Sequence, residues 1–412
     1  MKPTRSLLVL AISLMLGCAA AAQAAIEIRF NKNFESGALG KIEKLSPTQF
    51  RCHVEGQSDE HGANRQANWY YFRLDGVKGK DLRITLTDLV GEYNGRPGAV
   101  PMTAETIPVF SYDNELWEHF RSMDWDNAAK EATLQFTPNK DTIWVAHVPP
   151  YPYSKVLRLL KEMDARPCVR VETIGKSAQG QDLHLVTVTD FTVPEAQKKT
   201  VWLVARQHAW ETGTSYVLEG ALRFISSEDP VAKRLRATTL FKFTPTMDPD
   251  GCAAGKVRFN ANGYDLNRHW DEVDLRNKEL LRQMPEIWYV KKSIFNHLDS
   301  GRSIDLMLNL HNDETPEYLG TLIDEEPARS RCVRLFDRLS SATTFDPGQP
   351  LRFERDVDHT TNSLWRERKV PVLTMEQRIA SSKKLGRQAT ADDRLMFGGQ
   401  LIRAMAESVA TE

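Results

Sequence analysis

The sequence predicts two folded parts, an antiparallel β-sandwich over residues 25–150 and an α/β sheet flanked by helices over residues 151–412. Three observations carry this. Short runs rich in aromatic and β-branched residues alternate with turn formers up to Pro150. Pro149-Pro-Tyr-Pro-Tyr153 then punctuates the chain. Beyond it, strand patterns alternate with helical ones, as a helix-covered sheet requires.

Ahead of these parts, Lys2 and Arg5 precede an apolar stretch from Leu7 to Leu16, followed by Ala22-Gln23-Ala24. This reads as an export signal spanning residues 1–24, with the mature chain starting at Ala25 and a periplasmic or secreted location. A competing reading cleaves at Leu16-Gly17-Cys18 and leaves a lipoprotein anchored through Cys18. The apolar stretch is too short to span a bilayer, and no later run resembles a transmembrane helix. In the first part, Ala67–Leu74, Asp81–Thr87 and Thr142–Val148 read as strands, separated by turn signals at Asn94-Gly95, Pro97-Gly98 and Asp113-Asn114. In the second, Lys155–Met163 is an amphipathic helix. Strands are expected at 182–188, 200–205, 239–244, 304–310 and 370–375, and helices at 216–225, 284–298, 331–340 and 392–406.

The chain has 412 residues, 41% of them hydrophobic, which is enough for two cores. A net charge of −1 with no basic patch argues against a nucleic-acid partner. Beyond the signal, Cys52, Cys168, Cys252 and Cys332 allow three disulfide pairings or remain free thiols. None sits in a Cys-x-x-Cys pair, so a thiolate metal site is not expected. Oligomeric state is not legible.

The chemistry-bearing residues sit where apolar runs stop. Val201-Trp-Leu-Val-Ala-Arg-Gln ends in His208, and Glu211 follows three positions on, as a helical pattern begins. A second apolar run, Ile304-Asp-Leu-Met-Leu-Asn-Leu, ends in His311. Two imidazoles and a carboxylate leave a fourth zinc position open, which a hydrolytic zinc site needs. His-x-x-Glu alone is weak: it also occurs at His269/Glu272 and His311/Glu314. Only His208 and His311 follow buried-strand patterns, and sites in open α/β sheets lie at strand ends. Val370-Pro-Val-Leu-Thr-Met ends in Glu376, a carboxylate placed to take a proton from water. Arg258 and Arg268 carry planar, permanently charged groups that clamp carboxylates or steady an oxyanion.

Taken together, His208-Ala-Trp-Glu211, Asp248-Pro-Asp-Gly251, Arg258, Asp265-Leu-Asn-Arg268, Leu310-His311 and Thr374-Met-Glu376 stand in the order and approximate spacing of the M14 zinc carboxypeptidases. The chain resembles their cytosolic carboxypeptidase-like branch, in which a β-sandwich precedes the catalytic domain. Trp69-Tyr-Tyr-Phe-Arg73, Asn94-Gly-Arg-Pro97 and Pro149-Pro-Tyr-Pro-Tyr-Ser154 resemble its hallmarks. The resemblance implies a mixed sheet in the second part and one Zn2+ per chain, held by His208, Glu211 and His311. It implies that Glu376 activates zinc-bound water, Arg258 polarises the scissile carbonyl, and Asn267 and Arg268 hold the free C-terminal carboxylate of a peptide substrate. A tyrosine closes over the substrate in this family, and Tyr264 and Tyr318 are both in range. Departures include Ala-Trp between the first two ligands, Asn309-Leu-His-Asn312 around the third, and Gln377 after the base. These bear on pocket shape and therefore on the preferred C-terminal residue, for which Arg352 and Arg355 mark a charged loop. Two other readings compete: an amidohydrolase of the aspartoacylase type acting on N-acyl amino acids, and a non-catalytic peptide- or glycan-binding protein.

Overall fold

The alternation along Leu82–Thr87 sets the first layer: Leu82, Ile84 and Leu86 face inward while Arg83 points out. The computed structural model describes residues 27–98, 100–353 and 359–410. The export signal, its cleavage readings at Ala24 and Cys18, and Arg355 lie outside them. Two five-stranded sheets stack face to face around Phe50, Phe72, Leu74, Ile84, Leu134 and Val145. One runs in the order Arg29–Asn31, Tyr71–Asp75, Thr142–Ala146, Val109–Ser111, Glu118–His119 and is wholly antiparallel. The other runs Asp124–Asp126, Glu131–Phe136, Leu82–Thr87, Gln49–His53, Ile42–Lys44. In it Gln49–His53 and Leu82–Thr87 pair parallel, against the antiparallel expectation. The cause is the crossing: between these strands the chain passes through Tyr71–Asp75 in the opposite sheet, so it returns in its original direction. A small four-stranded sheet holds Gln57–Ser58 and its neighbours against the second part.

The second part is an eight-stranded mixed sheet ordered Val169–Lys176, Asp182–Val188, Thr239–Thr244, Lys199–Val204, Leu306–Asp313, Val372–Arg378, Tyr318–Thr321, Arg352–Phe353. The central strands Thr239–Thr244, Lys199–Val204, Leu306–Asp313 and Val372–Arg378 are parallel and largely buried on both faces, as strands covered by helices must be. On one face, helices Thr212–Ile225 and Ala391–Ala410 pack against each other and against the sheet. Those two helices meet at glycines. A Cβ on Gly220 would stand 1.9 Å from the Leu395 carbonyl oxygen, and one on Gly398 would stand 2.0 Å from that of Val217. Helix Pro285–Asp299 covers the other face through Ile287, Val290 and Ile294. All four described cysteines are unbridged. Among the described residues no helix is long and apolar enough to cross a membrane.

Candidate metal centre and cleft

Strand Lys199–Val204 ends, and helix Thr212–Ile225 does not begin until seven residues later; the loop between them is pinned by Arg206. Arg206 is 1% exposed and adopts φ 57°, a left-handed conformation that a non-glycine residue takes only when its surroundings hold it there. Its guanidinium donates to the carbonyls of Tyr151 (3.0 Å) and Ala209 (2.6 Å) and to Ser215 Oγ (3.0 Å). This turn presents His208, and it seats Glu211 at the position just before the helix, where the helix dipole favours a carboxylate. Trp210, between them, packs against Trp69 and Val257, so the Ala-Trp spacer fastens the ligand loop to the first domain's side of the molecule.

The second imidazole and the lone carboxylate come from neighbouring strands. His311 and Glu376 are direct partners in the parallel ladder of Leu306–Asp313 and Val372–Arg378. Both were expected at strand ends; both lie inside strands, because the ladder continues to the Asp313–Arg378 pair. His208 Nδ1 lies 2.7 Å from Glu211 Oε1 and His311 Nδ1 lies 3.0 Å from Glu211 Oε2. Each Nε2 is engaged on the far side. That of His208 meets Asp265 Oδ1 at 3.0 Å, and that of His311 meets Gln207 Oε1 at 3.0 Å. Both Nδ1 atoms thus face the Glu211 carboxylate; protons on the two Nε2 atoms would turn both Nδ1 lone pairs toward a shared metal ion, the arrangement that outer partners impose on metal-binding histidines. Ligand atoms of His208, Glu211 and His311 all lie within 4.8 Å of one another, and all three residues are buried. Two imidazoles and a carboxylate with an open side match a catalytic zinc. A second grouping, Asp271, Glu272 and His359, is exposed; His359 Nδ1 is 3.0 Å from Asp271 Oδ1, and His269 Nδ1 is 2.9 Å from Glu272 Oε2.

Asp265 joins the metal side to the arginine side. Its Oδ1 accepts from the Asn267 backbone N–H (2.8 Å) as well as facing His208, and its Oδ2 accepts from Arg258 Nε (2.7 Å). Burial opposes its charge, but Arg258 and His208 win and hold the carboxyl well below the usual range. Glu211 is likewise buried, and the two imidazoles bring it down to about 2. Glu376 goes the other way: burial, then the charges of Glu211 and Asp313, push it well above the usual carboxylate range, with Arg258 opposing. Its Oε2 is sealed from solvent and has no hydrogen-bond partner.

These groups line one cleft of about 290 Å³, which includes His208, Glu211, Arg258, Asn267, Arg268 and Glu376. His311 stands behind its wall. Tyr318 lines the cleft with the Arg352 guanidinium 3.5 Å from its ring centre, whereas Tyr264 lies elsewhere, beside His269. Glu314 does not act with His311 as a ligand pair; it bonds Asn68 Nδ2 of the first domain. Several cleft residues lay outside the sequence reading. Gln66, Asn68 and Pro101 come from the first domain, and no local pattern marks a sheet residue as bordering another domain. Gln207 and Asn309 were equally hidden, although Gln207 adjoins a ligand. Asp265 had a signal, the Asp-Leu-Asn-Arg motif, without a role attached.

Two family models match the chain: zinc carboxypeptidase (peptidase M14) over residues 156–314 and the cytosolic carboxypeptidase N-terminal domain over residues 30–148. An uncharacterized protein of Zymomonas mobilis is 30% identical over 288 residues, covering 70% of this chain and 68% of that one. Mouse cytosolic carboxypeptidase 3 is 26% identical over 331 residues, covering 74% of this chain, which spans only 31% of that protein's length. A solved metallo-carboxypeptidase from Burkholderia cenocepacia shares the fold, with a TM-score of 0.80 at 23% identity over 94% of this chain and all of that one. A Pseudomonas aeruginosa metallo-carboxypeptidase solved with (2-guanidinoethylmercapto)succinic acid superposes with a TM-score of 0.78 at 22% identity, covering 93% of this chain and 99% of its own. The chain belongs to the peptidase M14 zinc carboxypeptidases, a family of metallocarboxypeptidases. Within that family it carries the N-terminal domain of the cytosolic carboxypeptidases.

Proposed function

We propose that this protein removes the C-terminal residue of peptides by zinc-dependent hydrolysis. The observation that carries the reading is the convergence of the Nδ1 atoms of His208 and His311 with the Glu211 carboxylate, beside an unpartnered Glu376 oxygen, next to a cleft with two arginines. His208, Glu211 and His311 would hold a single zinc, which when bound supplies Lewis acidity and makes water acidic enough to attack near neutral pH. The Glu376 carboxylate, on the cleft wall, is the acceptor for the proton of the attacking water, and the same carboxyl returns that proton to the leaving amine. Its raised proton affinity suits both halves of that exchange. Arg258, oriented by Asp265, presents its guanidinium to the scissile carbonyl oxygen and steadies the charge that grows there. Asn267 and Arg268 take the substrate's terminal carboxylate, which restricts cleavage to the last bond. Tyr318, on the cleft wall, is the tyrosine placed to close over the substrate.

The deciding experiment incubates the zinc-loaded protein with a diverse peptide pool and identifies products by mass spectrometry. Loss of single C-terminal residues supports the reading; an intact pool, or internal cleavage, removes it. Given the export signal expected at residues 1–24, the substrates we propose are peptides met outside the cytoplasm.

A further inference from the structure

Two buried, uncharged polar residues of the cleft lining, Asn362 and Thr374, belong neither to the metal ligands nor to the carboxylate clamp. Asn362 is 1% exposed and Thr374 is 8% exposed. Thr374 precedes Glu376 by two positions on strand Val372–Arg378, so both side chains leave the same face of the sheet. Asn362 sits in the turn Thr361–Ser363, which Thr361 Oγ1 fixes by accepting from Gln207 Nε2 (3.1 Å) and Asn309 Nδ2 (3.0 Å), the residues behind His311. The turn is therefore held by the same side chains that hold the metal ligand, and Asn362 has little freedom to move away.

The hydrogen bonding of this pair is half complete. Thr374 Oγ1 donates to Asn362 Oδ1 at 3.4 Å, and Asn362 Nδ2 is buried with no partner. A buried amide donor left unpaired is costly, so a ligand that supplies an acceptor there is favoured over one that does not. The threonine oxygen, with its hydrogen directed at Asn362, keeps its lone pairs free to accept. The pair thus shows one donor and one acceptor side by side, and neither residue carries a charge. A carboxamide matches both, and so does a hydroxyl. An aliphatic side chain would leave Nδ2 orphaned, and an ionised one would be buried against neutral groups.

We propose that Asn362 is the specificity-determining residue of this cleft and that, with Thr374, it selects a C-terminal residue with an uncharged hydrogen-bonding side chain, a carboxamide or hydroxyl. This rests on the carboxypeptidase reading. The test uses the full zinc-loaded chain and five peptides identical except for a last residue of Gln, Ser, Leu, Glu or Arg, competed in one reaction. The wild type should favour Gln and Ser over Leu by roughly tenfold or more in kcat/KM, since a pocket built to hydrogen-bond rejects a partner that cannot. Asn362→Leu should bring the Gln-to-Leu ratio to one or below. Asn362→Asp, nearly the same size, removes the donor and should shift preference toward Arg; it carries the test if the leucine variant does not fold. A wild type that prefers Leu, or ratios unchanged in both variants, overturns the inference and leaves the carboxypeptidase reading standing. A wild type that releases nothing from any of the five overturns both.

Discussion

Gln57 holds the backbone of Arg258. Its Oε1 accepts from the N–H groups of Val257 (3.0 Å), Arg258 (2.7 Å) and Phe259 (3.0 Å), and its Nε2 donates to the Phe259 carbonyl at 2.7 Å. One side chain of the first domain thus clamps the segment that delivers Arg258, the arginine we propose steadies the oxyanion. Gln57→Ala should lower kcat by about 10- to 100-fold with zinc content unchanged, because a small misplacement of a catalytic group is that costly. Steady-state kinetics beside metal analysis checks it; wild-type turnover in the variant refutes the clamp.

Glu376→Gln keeps the shape of the proton acceptor and abolishes its basicity. Turnover should drop by about 10²–10⁴-fold or more, the range of acid–base catalysis, while one zinc per chain is retained. An active variant would remove Glu376 from the proposed chemistry.

Asp265→Asn weakens two contacts at once, to His208 Nε2 and to Arg258 Nε. Outer partners of this kind are worth about 10–100-fold in metal affinity. Competition against a chelator of known strength should show that loss. Affinity equal to wild type would mean that His208 is oriented by something else.

Glu286 gives a pH-dependence of stability. Burial raises its carboxyl from 4.5 to about 7, although Asn260 Nδ2 and the Ala178 N–H both donate to it at 2.9 Å. A folded-state value above the unfolded one means the native state holds the proton more tightly. The group costs nothing below pH 4.5, where both states are protonated, and increasingly destabilises as pH rises from 4.5 to about 7. Urea unfolding across this window should show wild type losing stability relative to Glu286→Gln; parallel curves would contradict the assignment.

Gly220→Ala places a methyl against the Leu395 carbonyl, a rigid backbone atom. The two helices must separate, at about 1–3 kcal/mol or more. A lowered Tm is expected, and an unchanged one would show that the helices have slack.

Much of the fold could be read from the sequence because it depends on local periodicity. The strands Asp182–Val188 and Thr239–Thr244 begin and end where their apolar runs do, and the long helices differ from expectation by a turn or so at their ends. Strand Val169–Lys176 went unread, as an edge strand with only one fully buried residue has little apolar signal. Strand Tyr318–Thr321 is too short to show a period. At the site, residue type and motif order suggested that His208, Glu211 and His311 belong together, and the structure places them so. What pattern could not show was which groups stand behind them. Gln57 and Asn68 act through contacts made at long sequence separation, and nothing in their own neighbourhoods distinguishes them from ordinary surface amides.

The glycine contact between helices Thr212–Ile225 and Ala391–Ala410 has a further consequence. Glu211 is mounted at the start of a rod wedged backbone to backbone, with no room to roll. The zinc we propose would therefore meet a carboxylate whose mounting the scaffold has already set.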